Sequence, residues 1–235
     1  AGSYEAAGEY YYNQNYYNDA LDQYELALKV LPDKPAVWVN IGDLSLALGE
    51  TQRAILIYEK ALKMDESNPF IMYKIARLYR DQGNYTRSLD YLNRAIELYP
   101  DYSPGYIDRG YVYSKQYEYD KAISDYNTAL AFKQPKSKFL GYLYRGWAYF
   151  NKGNFRQSIR DYTTAIKVKP TFAEAYDLRS LSNISLKNYK AALKDADQTL
   201  KLQEDYDLAY FHKGQALAGL GKKAEAIYNY EKYLA

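Results

Sequence analysis

Apolar and aromatic residues alternate along this chain between two helical patterns. In the first they stand at i, i+3, i+4 and i+7, as in Tyr4, Ala7, Gly8 and Tyr11. That spacing places them on one stripe of an amphipathic helix. The second pattern, as in Ala20, Tyr24 and Ala27, does the same for a second helix. Gly49, Gly83, Gly153 and Gly221 separate the two and suit a left-handed cap after the first helix. Asn68-Pro69 and Ser103-Pro104 read as helix starts, with a capping side chain before a proline in the first turn.

The patterns repeat every 34 residues from the first residue. Repeats run 1–34, 35–68, 69–102, 103–138, 139–172, 173–206 and 207–235, and Ser137 and Lys138 are two extra residues in the fourth. Lys133-Gln134-Pro135-Lys136, just before them, reads as a longer turn within one array, with a domain boundary as the alternative. Position 8 of the repeat holds Gly8, Gly42, Ala76, Gly110, Gly146, Ser180 and Gly214. A glycine inside a helix costs roughly 1 kcal/mol against alanine. Its recurrence therefore predicts close approach to positions 20 and 24 of the second helix. Of the 31 tyrosines, 18 fall at positions 4, 11, 17 and 24, where they read as packing residues.

Small residues at positions 8, 20 and 27, aromatics at 4, 11 and 24 and Pro32, Pro100 and Pro170 at position 32 resemble the tetratricopeptide repeat. The resemblance covers nearly the whole chain, as six full repeats and most of a seventh. It implies an all-α fold, a right-handed superhelical solenoid of antiparallel helix pairs whose first helices line an inner groove. Ser45 and Asn183 at position 11, Ala196 at position 24 and Thr199 at position 27 depart from the pattern. Looser packing is expected there. The Lys/Asn/Tyr-rich loops and the Arg109-Gly110 and Arg145-Gly146 pairs resemble bacterial members of the family.

Positions 7 and 23 change together. They are Arg109 with Asp125, Arg145 with Asp161 and Arg179 with Asp195 in repeats four to six, but Ile41 with Ile57 and Ile75 with Tyr91 in repeats two and three. The two positions lie equally far from the turn of an antiparallel pair. An Arg–Asp ion pair is expected to replace an apolar contact within each of the three later repeats.

Composition narrows the function. The 31 Lys+Arg and 29 Asp+Glu leave a net charge of +2, without the basic footprint of a nucleic-acid binder. With no cysteine and one histidine, thiolate and multi-histidine metal sites are excluded. His212 reads as a surface or groove side chain. No metal, cofactor or catalytic residue is expected, and no apolar run reaches the ~20 residues that span a bilayer. The chain opens Ala1-Gly2-Ser3 without a methionine, which fits a processed chain or an excised domain, and a cytoplasmic or bacterial periplasmic location is open.

In the geometry implied by the resemblance, positions 2, 5, 6, 9, 12 and 13 face the groove. Repeat three there offers Tyr73 and a cationic ridge of Lys74, Arg77 and Arg80; Asp108 and Tyr111 follow in repeat four. Asp43 and Asp108, on the neighbouring first helices, either neutralise the ridge or leave it to an acidic partner. Repeat five offers an aromatic stripe, Tyr144, Trp147 and Phe150, which either packs within the groove wall or anchors a partner. The family's clamp for chaperone C-termini is not supported: Glu5 and Glu9 stand where Lys and Asn are required, with Val39 and Asp43, then Pro104 and Asp108, in the later positions. These features lead to a non-catalytic scaffold that binds a protein or peptide segment in the groove, or to a recruiting module of a larger enzyme or complex. Ile227, Tyr230, Tyr233 and Leu234 end the array without a polar cap, so self-association or another cover is expected there.

Overall fold

The computed structural model describes residues 1–132 and 135–234, with the side chains of 135–137 outside the description. Among the described residues there are fourteen α-helices and no strand. No described helix is long and apolar enough to cross a membrane. The chain forms two compact units, Ala1–Val112 and Tyr113–Ala235. The first holds α1 (Gly2–Asn13), α2 (Tyr17–Val30), α3 (Pro35–Ala47), α4 (Thr51–Met64), α5 (Pro69–Asp81), α6 (Tyr85–Leu98) and most of α7 (Ser103–Lys115). The second holds the end of α7, then α8 (Tyr119–Ala131), α9 (Pro135–Asn151), α10 (Phe155–Val168), α11 (Ala173–Ser185), α12 (Tyr189–Leu202), α13 (Asp207–Gly219) and α14 (Lys223–Leu234).

In unit one α1, α3 and α5 pack on α2, α4 and α6, and α2 and α4 on α3 and α5; in unit two α9, α11 and α13 pack on α10, α12 and α14, and α8, α10 and α12 on α9, α11 and α13. The nesting is set by positions 8 and 24. A Cβ placed on Gly42 would lie 2.4 Å from Tyr58 Cε1, and one on Gly146 2.8 Å from Tyr162 Cε1. Gly8 and Gly214 meet Tyr24 and Tyr230 in the same way. Where position 8 is larger, position 24 is smaller: Ala76 shares a core cluster with Leu92, and Ser180 is matched by Ala196. The tyrosine rings are thus core volume, with Tyr24, Tyr58, Tyr126 and Tyr162 almost fully buried.

The turns between paired helices all use a left-handed residue at position 15. Gly49, Gly83, Gly153 and Gly221 have φ of 74–79°, while Asn15, Tyr117 and Lys187 take φ of 59–63°. A side chain in that conformation costs roughly 1–2 kcal/mol, less the extra freedom a glycine loses on folding. Lys187→Gly is therefore expected to stabilise the second unit by about 0.5–1 kcal/mol, read as a raised urea midpoint with unchanged slope. Asn68 caps α5 as expected, its side chain accepting from the Phe70 and Ile71 amides. Ser103 is the first residue of α7.

Two expectations are corrected. The two extra residues do not lengthen a turn: Ser137 and Lys138 lie inside α9, which has 17 residues where the other first helices have 12 or 13. Lys133 and Gln134 lie outside the described residues. Nor do the polar departures loosen the core. Ser45, Asn183 and Thr199 are buried, and each hydroxyl or amide finds a local acceptor: Ile41 O, Asp195 Oδ2 and Asp195 O respectively.

The Arg–Asp pairing forms within the repeat. Arg145 Nε and Nη2 donate to the two oxygens of Asp161 at 2.8 and 2.7 Å. Arg179 does the same to Asp195 at 2.9 and 2.7 Å. Each guanidinium also reaches the preceding repeat, at Asn127 Oδ1 and Thr163 Oγ1. Both aspartates are buried. Arg109 and Asp125 fall in different units; within its own unit Arg109 donates to Asn93 Oδ1 at 2.9 Å. At the end of the second unit Ile227, Tyr233 and Leu234 are exposed, while Tyr230 and Tyr233 lean on Phe211.

Candidate functional site

The first helices of unit one carry a charge lattice that joins neighbouring repeats. Lys74 Nζ donates to Asp43 Oδ1 at 2.5 Å, and the Tyr58 hydroxyl donates to the same oxygen. Arg80 pairs with Asp108, and Arg77 approaches its other oxygen at 3.9 Å. The Tyr73 hydroxyl is bonded to Asp108 as well. Glu5 takes both its contacts from Lys34. Position 6 of one repeat thus meets positions 5, 9 and 12 of the repeat before it.

The cationic ridge is therefore largely neutralised by Asp43 and Asp108. Asp108 is only 7% exposed, and burial pushes its carboxyl above the ordinary range against the opposing pull of Arg80, Tyr73 and Arg77. Burial, then the Asp108 charge, drives the Tyr73 phenol upward. Arg80 is sheltered, stacked on the Tyr111 ring at 5.4 Å. Arg77 is the member that faces outward: its side chain is 51% exposed, held by the long Asp108 contact and the Tyr73 ring. Beside it Phe70, Tyr73, Tyr99 and Tyr102 form a cluster of edge-on and stacked rings, with Phe70 exposed.

In unit two the aromatic stripe is half-buried. Tyr144 packs on Tyr126, Trp147 on Tyr119 and Phe150 on Phe155. Lys115 Nζ lies 5.9 Å from the Trp147 ring. The three residues do share one side of α9, but each spends part of its surface on packing within the unit.

His212 is not a surface side chain. It is buried, and its Nδ1 lies 2.7 Å from Oδ1 of buried Asp177, with position 5 again meeting position 6 of the next repeat. Glu174, on the same helix, is raised by burial and by Asp177. Sequence reasoning missed this pair. Complementary residues 28, 31 or 35 apart, such as Arg80 with Asp108, Asp43 with Lys74 and Asp177 with His212, were the available signal.

Comparisons with known proteins agree with this geometry. Four family models, each described as tetratricopeptide repeat, match residues 4–69 with 178–235, 45–108, 103–134 and 139–172. Superkiller protein 3 of Saccharomyces cerevisiae is 30% identical over 80 residues, 34% of this chain and 6% of that protein. The tetratricopeptide repeat and J domain-containing co-chaperone DNJ1 of Fusarium oxysporum is 28% identical over 92 residues, 39% of this chain and 17% of that protein. The chain thus spans a small part of these relatives. Among solved structures, a tetratricopeptide repeat protein from Parabacteroides merdae superposes with a TM-score of 0.75 at 20% identity, covering 99% of this chain and 93% of that one. YrrB, described as a TPR protein with an unusual peptide-binding site, superposes with a TM-score of 0.63 at 20% identity, covering 79% and 95%. At these identities the structural likeness speaks for the fold.

Proposed function

The chain belongs to the tetratricopeptide repeat family, and from that premise we propose that it is a non-catalytic scaffold holding a segment of a partner protein along the faces of its first helices. The observation that carries this reading is the state of the charge lattice. Lys74, Asp43, Arg80 and Asp108 are already locked to one another, while Arg77 beside them presents a half-exposed guanidinium. A partner meeting such a face does not have to immobilise those side chains on binding. Arg77 then supplies a forked donor to a carboxylate of the partner. In unit two the open sides of Tyr144, Trp147 and Phe150 offer an apolar anchor. A second reading, a recruiting module within a larger enzyme or assembly, is favoured by the small share of its relatives that this chain spans.

The test is partner capture by wild type and variants, with identification by mass spectrometry. Arg77→Ala is expected to weaken an acidic partner about two- to fivefold and to make the remaining affinity less salt-sensitive. Trp147→Ala is expected to weaken an apolar contact by tenfold or more. Retention of every specific partner by both variants would place the binding surface elsewhere. Lys74→Ala and Arg80→Ala are poorer probes, because each strips a carboxylate of its cation and acts first on stability.

A further inference from the structure

The junction between repeats one and two lacks a member that the next junction has. At the second junction three groups converge: the acid at position 9, Asp43; the hydroxyl of the tyrosine at position 24, Tyr58; and the ammonium at position 6 of the following repeat, Lys74. At the first junction the corresponding residues are Glu9, Tyr24 and Asn40. The acid and the tyrosine are present, but the cation is replaced by a neutral amide.

The structure shows what this leaves. Glu9 is exposed and forms no ion pair among the described residues, whereas Glu5 on the same helix is matched by Lys34. Tyr24 is 2% exposed, and its hydroxyl makes no hydrogen bond among the described residues. That hydroxyl opens on a cleft, where it can accept from a donor that enters. Both residues line a cleft of about 230 Å³ with Tyr12, Asn13, Asn40 and Asp43. The cleft is wide enough for an alkylammonium or guanidinium group. Glu9, the second oxygen of Asp43, the side-chain carbonyls of Asn13 and Asn40 and the Tyr24 oxygen can all accept from an N–H donor there, and the amide NH2 groups and the phenol O–H are the donors in the lining. Burial, then the Glu9 and Asp43 charges, raises the Tyr24 phenol to about 12.

We propose that this cleft receives one cationic side chain, a lysine or arginine, of the partner segment, which completes the first junction as Lys74 completes the second. The proposal rests on the reading that the first-helix faces receive a partner, and it adds the chemistry of one contact. Glu9 supplies the unpaired charge, Tyr24 and the asparagines the remaining acceptors, and the alkyl stem of the guest lies against the Tyr12 ring.

The experiment titrates the chain with Nα-acetyl-lysine methylamide, followed by amide chemical shifts, with the Nε-acetylated derivative as a neutral control of similar length. Saturable shifts are expected around residues 9–13 and 40–43, with none from the acetylated control. Glu9→Gln should weaken the binding about tenfold. Asn40→Lys, which supplies the missing ammonium from within the chain, should abolish it. The proposal is overturned by absent shifts, by shifts elsewhere, by equal binding of the acetylated control, or by either variant binding like wild type. Because no partner is used, failure here leaves the Arg77 and Trp147 comparison intact, and failure of that comparison does not alter this one.

Discussion

Arg179→Leu is expected to destabilise the second unit by about 3–5 kcal/mol, read from urea unfolding. The size follows from what remains behind. Asp195 is 5% exposed, and its two oxygens lose both donors of the guanidinium fork, keeping the Asn183 amide at 3.4 Å. A buried carboxylate without its cation costs far more than the intact pair contributes. The double variant Arg179→Ile with Asp195→Ile should recover most of the loss, because repeat two already packs Ile41 and Ile57 at these positions. Arg179→Lys should fall between, since an ammonium keeps the charge but cannot match two oxygens and Thr163 at once. Equal loss in the single and double variants would mean that the side chains matter through volume and not through pairing.

Gly146→Ala is expected to destabilise by up to about 2 kcal/mol in the same assay. On helix propensity alone the change should stabilise by roughly 1 kcal/mol. Against that, the new Cβ would lie 2.8 Å from Cε1 of Tyr162, a ring that is fully buried and closely packed. Overpacking of a rigid ring costs roughly 1–3 kcal/mol and decides the sign. The strain either tilts the ring or parts α9 from α10, and both also disturb the face that carries Tyr144 and Trp147.

Contacts within a repeat were legible in the sequence because they are local in the period. Glycine at position 8 with tyrosine at 24, and arginine at 7 with aspartate at 23, lie equally far from one turn. Helix geometry then brings them together. Contacts between repeats were legible only in part. The neutralising role of Asp43 and Asp108 followed from their being on neighbouring first helices, but which cation each holds depends on the offset between those helices. Thus Arg80 is taken and Arg77 left outward-facing, a distinction their 3-residue spacing does not contain. His212 was misread for the same reason. Its partner, Asp177, lies one repeat and one residue away, so no pattern on its own helix marks it as buried. The insertion at residues 137 and 138 was misread because a Lys- and Pro-rich stretch suits a turn as well as a helix start, and Pro135 stands at the first position of α9.

The fold depends on small and large side chains at positions 8 and 24 sharing one space between paired helices. A double-mutant cycle of Gly146→Ala with Tyr162→Leu measures that sharing directly, since Ala76 with Leu92 shows the same combination packed in repeat three. Each single change is expected to destabilise, one by crowding and one by leaving a void. The double variant is expected to be at least about 1 kcal/mol more stable than the two losses added together. Strictly additive losses would mean that the two positions do not share that space, and the packing that sets out the first-helix faces would need another origin.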